Sequence, residues 1–171
     1  VFSLLSDFAM DHRAGYLGLD NLKHGRMAGW MMGLVARQPG KVAVFVGGHR
    51  WHGHELREAG FRAYLREQAP HLQPLDAMVN LETRALTYEA VLALLARHDD
   101  LRGVYVAGGG MEGAIAALRE AKRPDVALIV AALTGESRSG LAEGVVTMVM
   151  DTPLEKLCRE MFQAMTRATR G

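Results

Sequence analysis

The chain contains one cysteine, Cys158, so an internal disulfide is impossible and a reducing compartment, the cytoplasm, is the expectation. Charge of one sign is also lacking. The net charge is +1, which leaves no basic footprint for nucleic acid and no charged run for a membrane surface. No apolar run is long enough to span a bilayer, and no signal peptide is visible. There is no initiator methionine either: the chain opens on Val1-Phe2-Ser3-Leu4-Leu5, already strand-like, as a piece of something longer would. What remains is ordinary globular composition, 49% hydrophobic and 23% charged over 171 residues, enough for one to one-and-a-half domains with a real core. Cys158 falls in the apolar stripe Leu154, Leu157, Cys158, Met161 and reads as packing.

Catalytic signatures are missing too. There is no G-x-S-x-G elbow, no lysine of a phosphate-binding loop after the glycines, and no H-E-x-x-H. Asp7 follows an opening strand, but the acid cluster and later lysine of a phosphoacceptor domain are unmatched. Gly108, Gly110 and Gly113 spell G-x-G-x-x-G. A dinucleotide site also needs an acid at the end of the next strand, and that strand ends in Ala131-Ala132-Leu133 with Asp125 at its start.

The organising stretch is Tyr105-Val106-Ala107-Gly108-Gly109-Gly110-Met111-Glu112. An apolar strand stops at three glycines and a helical pattern follows through Met111, Ala114, Ile115 and Leu118. Glycines let backbone approach closely, and the helix start aims free N–H groups at the same place, where a small polar or anionic ligand would fit.

The same alternation runs through the chain. Val1 to Leu5 reads as a strand and Asp7 to Gly15 as a loop. Asp20 or Asn21 caps a helix to about Arg37, its spacing placing Met27, Trp30, Met31, Leu34 and Val35 on one face. Lys41 to Val46 is a continuous apolar run of the kind buried on both faces of a parallel sheet. A helix to about Glu67 follows, with Leu56, Ala59, Gly60, Phe61 and Leu65 inward. Then come a weaker strand from Leu75 to Leu81, a helix opened by Thr83 or Thr87, and the strand from Leu101 to Ala107. The glycine corner and its helix follow, then a strand from Val126 to Ala131 and a short helix from Thr134 to Leu141. A strand from Gly144 to Met150 and a helix from Pro153 to about Arg167 complete the chain. This is an α/β protein with a doubly wound parallel sheet covered on both faces, whose strand ends converge on one ligand-facing rim.

Several rim residues are candidates for ligand contact. The loop Gly47-Gly48-His49-Arg50-Trp51-His52-Gly53-His54 carries three histidines, but a zinc site needs three or four converging ligands and only Glu55 is near. A ligand loop is the alternative to a plain solvated loop: Trp51 would stack on a sugar face and Arg57 would fork onto hydroxyls or a carboxylate. Arg57 could equally form a surface ion pair with Glu55 or Glu58. Asn80 and Glu82 are rim residues for which solvent exposure is the simpler reading. Thr134 reads as a cap, as do Asp151 or Thr152 before Pro153. The candidate binding set is Asp7, His49, Trp51, Arg57, Gly108, Gly109, Gly110, Glu112 and Asp151, with no catalytic residue, metal or cofactor.

Taken in order, Gly18-Leu19-Asp20-Asn21, Gly25-Arg26-Met27-Ala28-Gly29, Val42 to Gly48, Glu55 to Phe61, Thr87-Tyr88-Glu89-Ala90 and Val104 to Gly113 resemble the effector-binding region of lac-repressor-type (LacI) transcriptional regulators. That family shares the type I periplasmic-binding-protein-like fold, a three-layer sandwich. The resemblance implies a carbohydrate-like effector, a ligand contact at Arg57, operator DNA bound through a helix-turn-helix absent from this chain, a homodimer and no membrane. It also implies a division into residues 1–40 as the remnant of the first subdomain and crossover, 41–150 as the second subdomain, and 151–171 as a helix returning to the other lobe. The chain departs from the family at Gly108 to Gly110, where many members have Asn-Asp, and at Ala132 or Leu133, where many have a ligand-binding carboxylate. A transport-type solute-binding protein is the alternative.

Overall fold

The computed structural model describes residues 1–7, 14–48 and 51–170. Strand β1 (Phe2–Leu4) pairs in parallel with β2 (Gly15–Leu17) as a small separate ribbon. Helix α1 (Asn21–Val35) starts at Asp20, whose carboxylate accepts the Lys23 N–H at 3.0 Å, as its cap position predicts. The main sheet follows: β3 (Gly40–Val46), α2 (His52–Gln68), β4 (Leu72–Pro74), β5 (Met78–Val79), α3 (Arg84–Arg97), β6 (Leu101–Val106), α4 (Met111–Ala121), β7 (Ala127–Val130), α5 (Gly135–Ala142), β8 (Met148–Val149) and α6 (Leu154–Arg170). Its strand order is β4-β3-β6-β7-β8, with β5 also on β3, and every pair is parallel.

The run Val42 to Val46 is buried on both faces, as its unbroken apolar character predicts. One core lies between the sheet and α3–α5 and includes Phe45, Val91, Val104, Ile115 and Leu128. The other lies on the opposite face with α1 and α2 and includes Met32, Val44, Phe61, Leu65 and Tyr105. The expected doubly wound, three-layer α/β architecture is therefore present.

Four local expectations change. The predicted strand Leu75 to Leu81 shrinks to β5 inside it, and a separate short strand, β4, lies just before it. Pro74 closes β4, and Leu75 still donates its N–H to the Val42 carbonyl at 2.9 Å. The predicted strand Gly144 to Met150 shrinks to Met148–Val149, because Gly144 is left-handed at φ +77 and the N–H groups of Val145 and Val146 both turn back to the Gly140 carbonyl. Strand β2 lies where no element was expected. Cys158 is exposed, so the packing role expected for it is not what the fold uses.

The largest change is the face of α1. Trp30 is 45% exposed and Met27, Leu34 and Val35 are exposed with it, while Asn21, His24, Gly25, Ala28, Gly29 and Met32 are buried. The reason is helix contact. A Cβ on Gly25 would collide with the Arg57 carbonyl, and one on Gly60 with the Leu22 carbonyl. Backbones this close leave no room for large side chains, so the small-residue stripe faces inward. On α2, Gly60, Phe61 and Leu65 are buried as expected, but Ala59 is exposed.

Candidate functional site

Register brings three loops to one level. Phe45 stands opposite both Met78 and Val106, so the chain leaves β3, β5 and β6 on the same rim at Gly47, Asn80 and Ala107. Helix α2 begins there. Its first turns carry His54 and Arg57, three residues apart and so on one face.

Arg57 is held from two sides. Its Nε donates to Asn21 Oδ1 at 2.7 Å and its Nη1 to the Ala107 carbonyl at 2.6 Å. Nη2 has no hydrogen-bond partner among the described residues. Burial lowers the guanidinium pKa below its ordinary value, but it remains charged. Asn21, at the buried start of α1, donates in turn to the Tyr16 hydroxyl at 3.2 Å. That hydroxyl lies 3.0 Å from the Leu5 carbonyl and 2.9 Å from the Leu19 carbonyl.

His54 accepts the Gly47 N–H on Nδ1 at 3.1 Å, so the proton of a neutral imidazole sits on Nε2, 3.8 Å from Glu82 Oε1. Burial is the main cause lowering its pKa, the Arg57 charge adds to that, and Glu82 opposes both. Glu82 Oε1 also accepts the Gly109 N–H at 3.2 Å.

The turn that carries Glu82 is strained. Leu81 and Glu82 are both left-handed, with φ of +49 and +57. Such a conformation costs a non-glycine residue about 1–2 kcal/mol. Asn80, 2% exposed, holds the turn in place. Its side chain accepts the Glu82 N–H at 3.0 Å and donates to Thr87 Oγ1 and the Gly109 carbonyl, each at 2.9 Å.

The triple glycine fits against this turn. A Cβ on Gly108 would strike the His54 ring, one on Gly109 would lie 2.9 Å from Glu82 Cβ, and one on Gly110 would lie 2.5 Å from Thr87 Oγ1. Gly110 also caps α4 in a left-handed conformation, φ +85. The close approach read from the sequence is present, and the groups brought close are the chain's own.

Between these groups lies a cavity of about 240 Å³ lined by Leu5, Ser6, Asn21, Trp51, Gly53, His54, Arg57, Glu82 and Thr152. Ser6 precedes and Thr152 follows the strands of the main sheet in the chain. Trp51 and Arg57 are thus together, with the glycine corner behind Glu82. Asp7 accepts from Ser3 Oγ at 2.8 Å and lines a neighbouring cavity with Tyr16 and Asn21. Asp151 accepts the Leu133 N–H at 3.2 Å and lines a third cavity, with His24 and Met27. Glu112 lies in the first turn of α4, and neither it nor Gly108 to Gly110 lines the 240 Å³ cavity. His49 lies outside the described residues. Sequence reasoning missed Asn21, His54 and Glu82 as a set. The spacing of His54 to Arg57 was readable, but the link from Glu82 to Gly109 crosses the sheet rim and leaves no local signal. Among the described residues no three His, Cys, Asp or Glu side chains converge as a metal site would, and no helix is long and apolar enough to cross a membrane.

A family model for the periplasmic binding protein domain matches residues 1–171. The chain belongs to the periplasmic binding protein domain family. Solved structures with this binding-protein fold include GanP, a glucose-galactose binding protein from Geobacillus stearothermophilus (TM-score 0.92, 19% identity, 99% of this chain and 61% of that one). The XylFII-LytSN complex superposes with TM-score 0.89 at 21% identity over 98% of this chain and 62% of that one. An Agrobacterium vitis ABC-transporter solute-binding protein, solved with alpha-D-tagatopyranose, superposes at 0.78 with 21% identity over 85% and 52%. This chain spans about three fifths or less of the length of such structures. No curated protein sequence matches it.

Proposed function

We propose that this binding-protein chain forms one wall of a carbohydrate-binding cleft in a solute-binding protein of the transporter type. The observation that carries the reading is the 240 Å³ rim cavity, in which a guanidinium with an unused N–H edge, a half-exposed tryptophan and a carboxylate line one space. Sugars need an aromatic face for their C–H surface and charged or planar groups for their hydroxyls. The similarity to sugar-binding transporter components supports the same reading.

On this reading residues 41–150 are the second lobe, residues 1–40 carry the end of the first lobe and the crossover, and residues 151–171 lead back toward the first lobe. The exposed apolar residues Leu154, Phe162 and Met165 of α6 then pack on that lobe. Trp51 and Arg57 are the direct ligand contacts, with Asp7 and Asp151 on the rim and Gly108 to Gly110 and Glu112 behind it. Closure of the lobes around the ligand supplies the remaining contacts.

A second reading, the effector domain of a LacI-type regulator acting as a homodimer on operator DNA, is favoured by the ordered motifs from Gly18 to Gly113. The two readings part on compartment: a transport component works outside the cytoplasm and a regulator inside it. Titration calorimetry of the full-length protein against glucose, galactose, xylose and arabinose tests the shared claim, and the absence of binding removes it. The sequence of the full-length protein separates the readings: a helix-turn-helix selects the regulator, and a secretion signal selects the transport component.

A further inference from the structure

Glu82 is the only carboxylate among the described residues lining the rim cavity. Its placement is unusually constrained for a side chain that is 39% exposed. Two successive left-handed residues turn it into the cleft, buried Asn80 locks that turn, and the Gly109 N–H fixes one carboxylate oxygen, Oε1. The His54 Nε2–H lies toward the same oxygen. Among the described residues no ion pair joins Glu82 to Arg57, and the other oxygen, Oε2, has no hydrogen-bond partner. A carboxylate held this way, open on one oxygen, is an acceptor waiting for a donor.

We propose that Glu82 is the specificity-determining acceptor of the cleft, taking a hydrogen bond from one ligand hydroxyl while Arg57 donates to another. This rests on the cleft reading above and deepens it, because the pair selects by charge. A hydroxyl can donate to Glu82 and accept from Arg57, so a neutral sugar or polyol satisfies both. A sugar acid satisfies Arg57 but sets its carboxylate in the same small cavity as that of Glu82. The site therefore takes neutral polyhydroxylated ligands and rejects the corresponding uronic acids. Gly108 and Gly109 serve this role by leaving room for His54 and Glu82 against the corner, and Gly110 by leaving room for Asn80.

The experiment is titration calorimetry of the full-length protein with glucose, galactose and xylose against glucuronate and galacturonate. It is run on the unmodified protein, Glu82→Gln, Glu82→Asp and Arg57→Ala, with thermal unfolding as a check on folding. Glutamine keeps an oxygen for the Gly109 N–H, so a purely structural role for Glu82 leaves binding unchanged. The expected result is neutral-sugar binding weakened roughly 10- to 100-fold in Glu82→Gln, with discrimination against the uronate reduced. Glu82→Asp, which keeps the charge, should bind neutral sugars more weakly yet still reject the uronates. Uronates bound as tightly as neutral sugars by the unmodified protein, or a Glu82→Gln variant that binds and discriminates normally, overturns the proposal. If Arg57→Ala then still abolishes binding, the cleft reading survives that failure. If neither variant changes binding, or no neutral probe binds, both fall.

Discussion

Arg57 Nη1 donates to the Ala107 carbonyl at 2.6 Å, immediately before the triple glycine. That bond ties the second turn of α2 to the end of β6 and places Arg57 and the glycine corner on one rim. Through Asn21 and Tyr16 the same guanidinium is connected to the segments that precede the main sheet.

Arg57→Ala should abolish ligand binding in the full-length protein and lower stability by about 1–3 kcal/mol, since it takes a charged donor from the buried Asn21 Oδ1 and Ala107 carbonyl. Arg57→Lys should restore charge without restoring binding, because an ammonium cannot span both acceptors and the ligand. Calorimetry beside urea denaturation measures the two effects, and undiminished affinity in either variant removes Arg57 from the site.

Gly60→Ala should be among the most damaging small substitutions in the chain. The new methyl meets the Leu22 carbonyl, a backbone atom that cannot rotate away, so α1 and α2 must separate. Overpacking of this kind costs typically 1–3 kcal/mol. Denaturant midpoints of Gly60→Ala and of Ala59→Gly, its exposed neighbour, provide the comparison; equal effects would contradict the close helix contact.

Asn80→Ala should destabilise the fold by about 1–3 kcal/mol, because it takes a donor from the Gly109 carbonyl and from the buried Thr87 hydroxyl, which keeps only its bond to the Thr83 carbonyl, and releases a strained turn. Ligand affinity should fall as well, since Glu82 is no longer held. A variant that keeps full stability would show that Asn80 does not lock the turn.

Stability should fall as the medium is acidified from about pH 6.5 to about pH 4. His24 is buried, its Nδ1 3.1 Å from the Tyr105 hydroxyl, and burial first and the Arg57 charge second lower its pKa from 6.5 to about 4. Between those values the unfolded chain takes up a proton that the folded chain refuses, so the contribution is complete above pH 6.5 and lost by pH 4. His54, lowered for similar reasons, acts in the same direction. For His24 the loss amounts to about 3 kcal/mol. Urea denaturation at several pH values should give a shallower slope for His24→Gln; an identical slope would count against His24 as its source.

Much of this protein was readable in its residues because the signals are local. Continuous apolar runs marked β3 and β6, the N-cap position of Asp20 marked α1, and Thr134 caps α5 by accepting the Ser137 N–H at 3.2 Å. The alternation of those elements pointed to a parallel sheet whose strand ends share one rim, and Arg57 stands on that rim. Tertiary structure alone decided which face of α1 is buried, since hydrophobic periodicity cannot see that Gly25 and Gly60 bring two backbones together and leave Trp30 outside. It also decided what the three glycines are for. Glu82 reaches Gly109 across 27 positions of sequence, from a turn whose left-handed geometry no residue type there announces. Contacts between distant segments, paid for in local strain, are the information that a linear pattern does not carry.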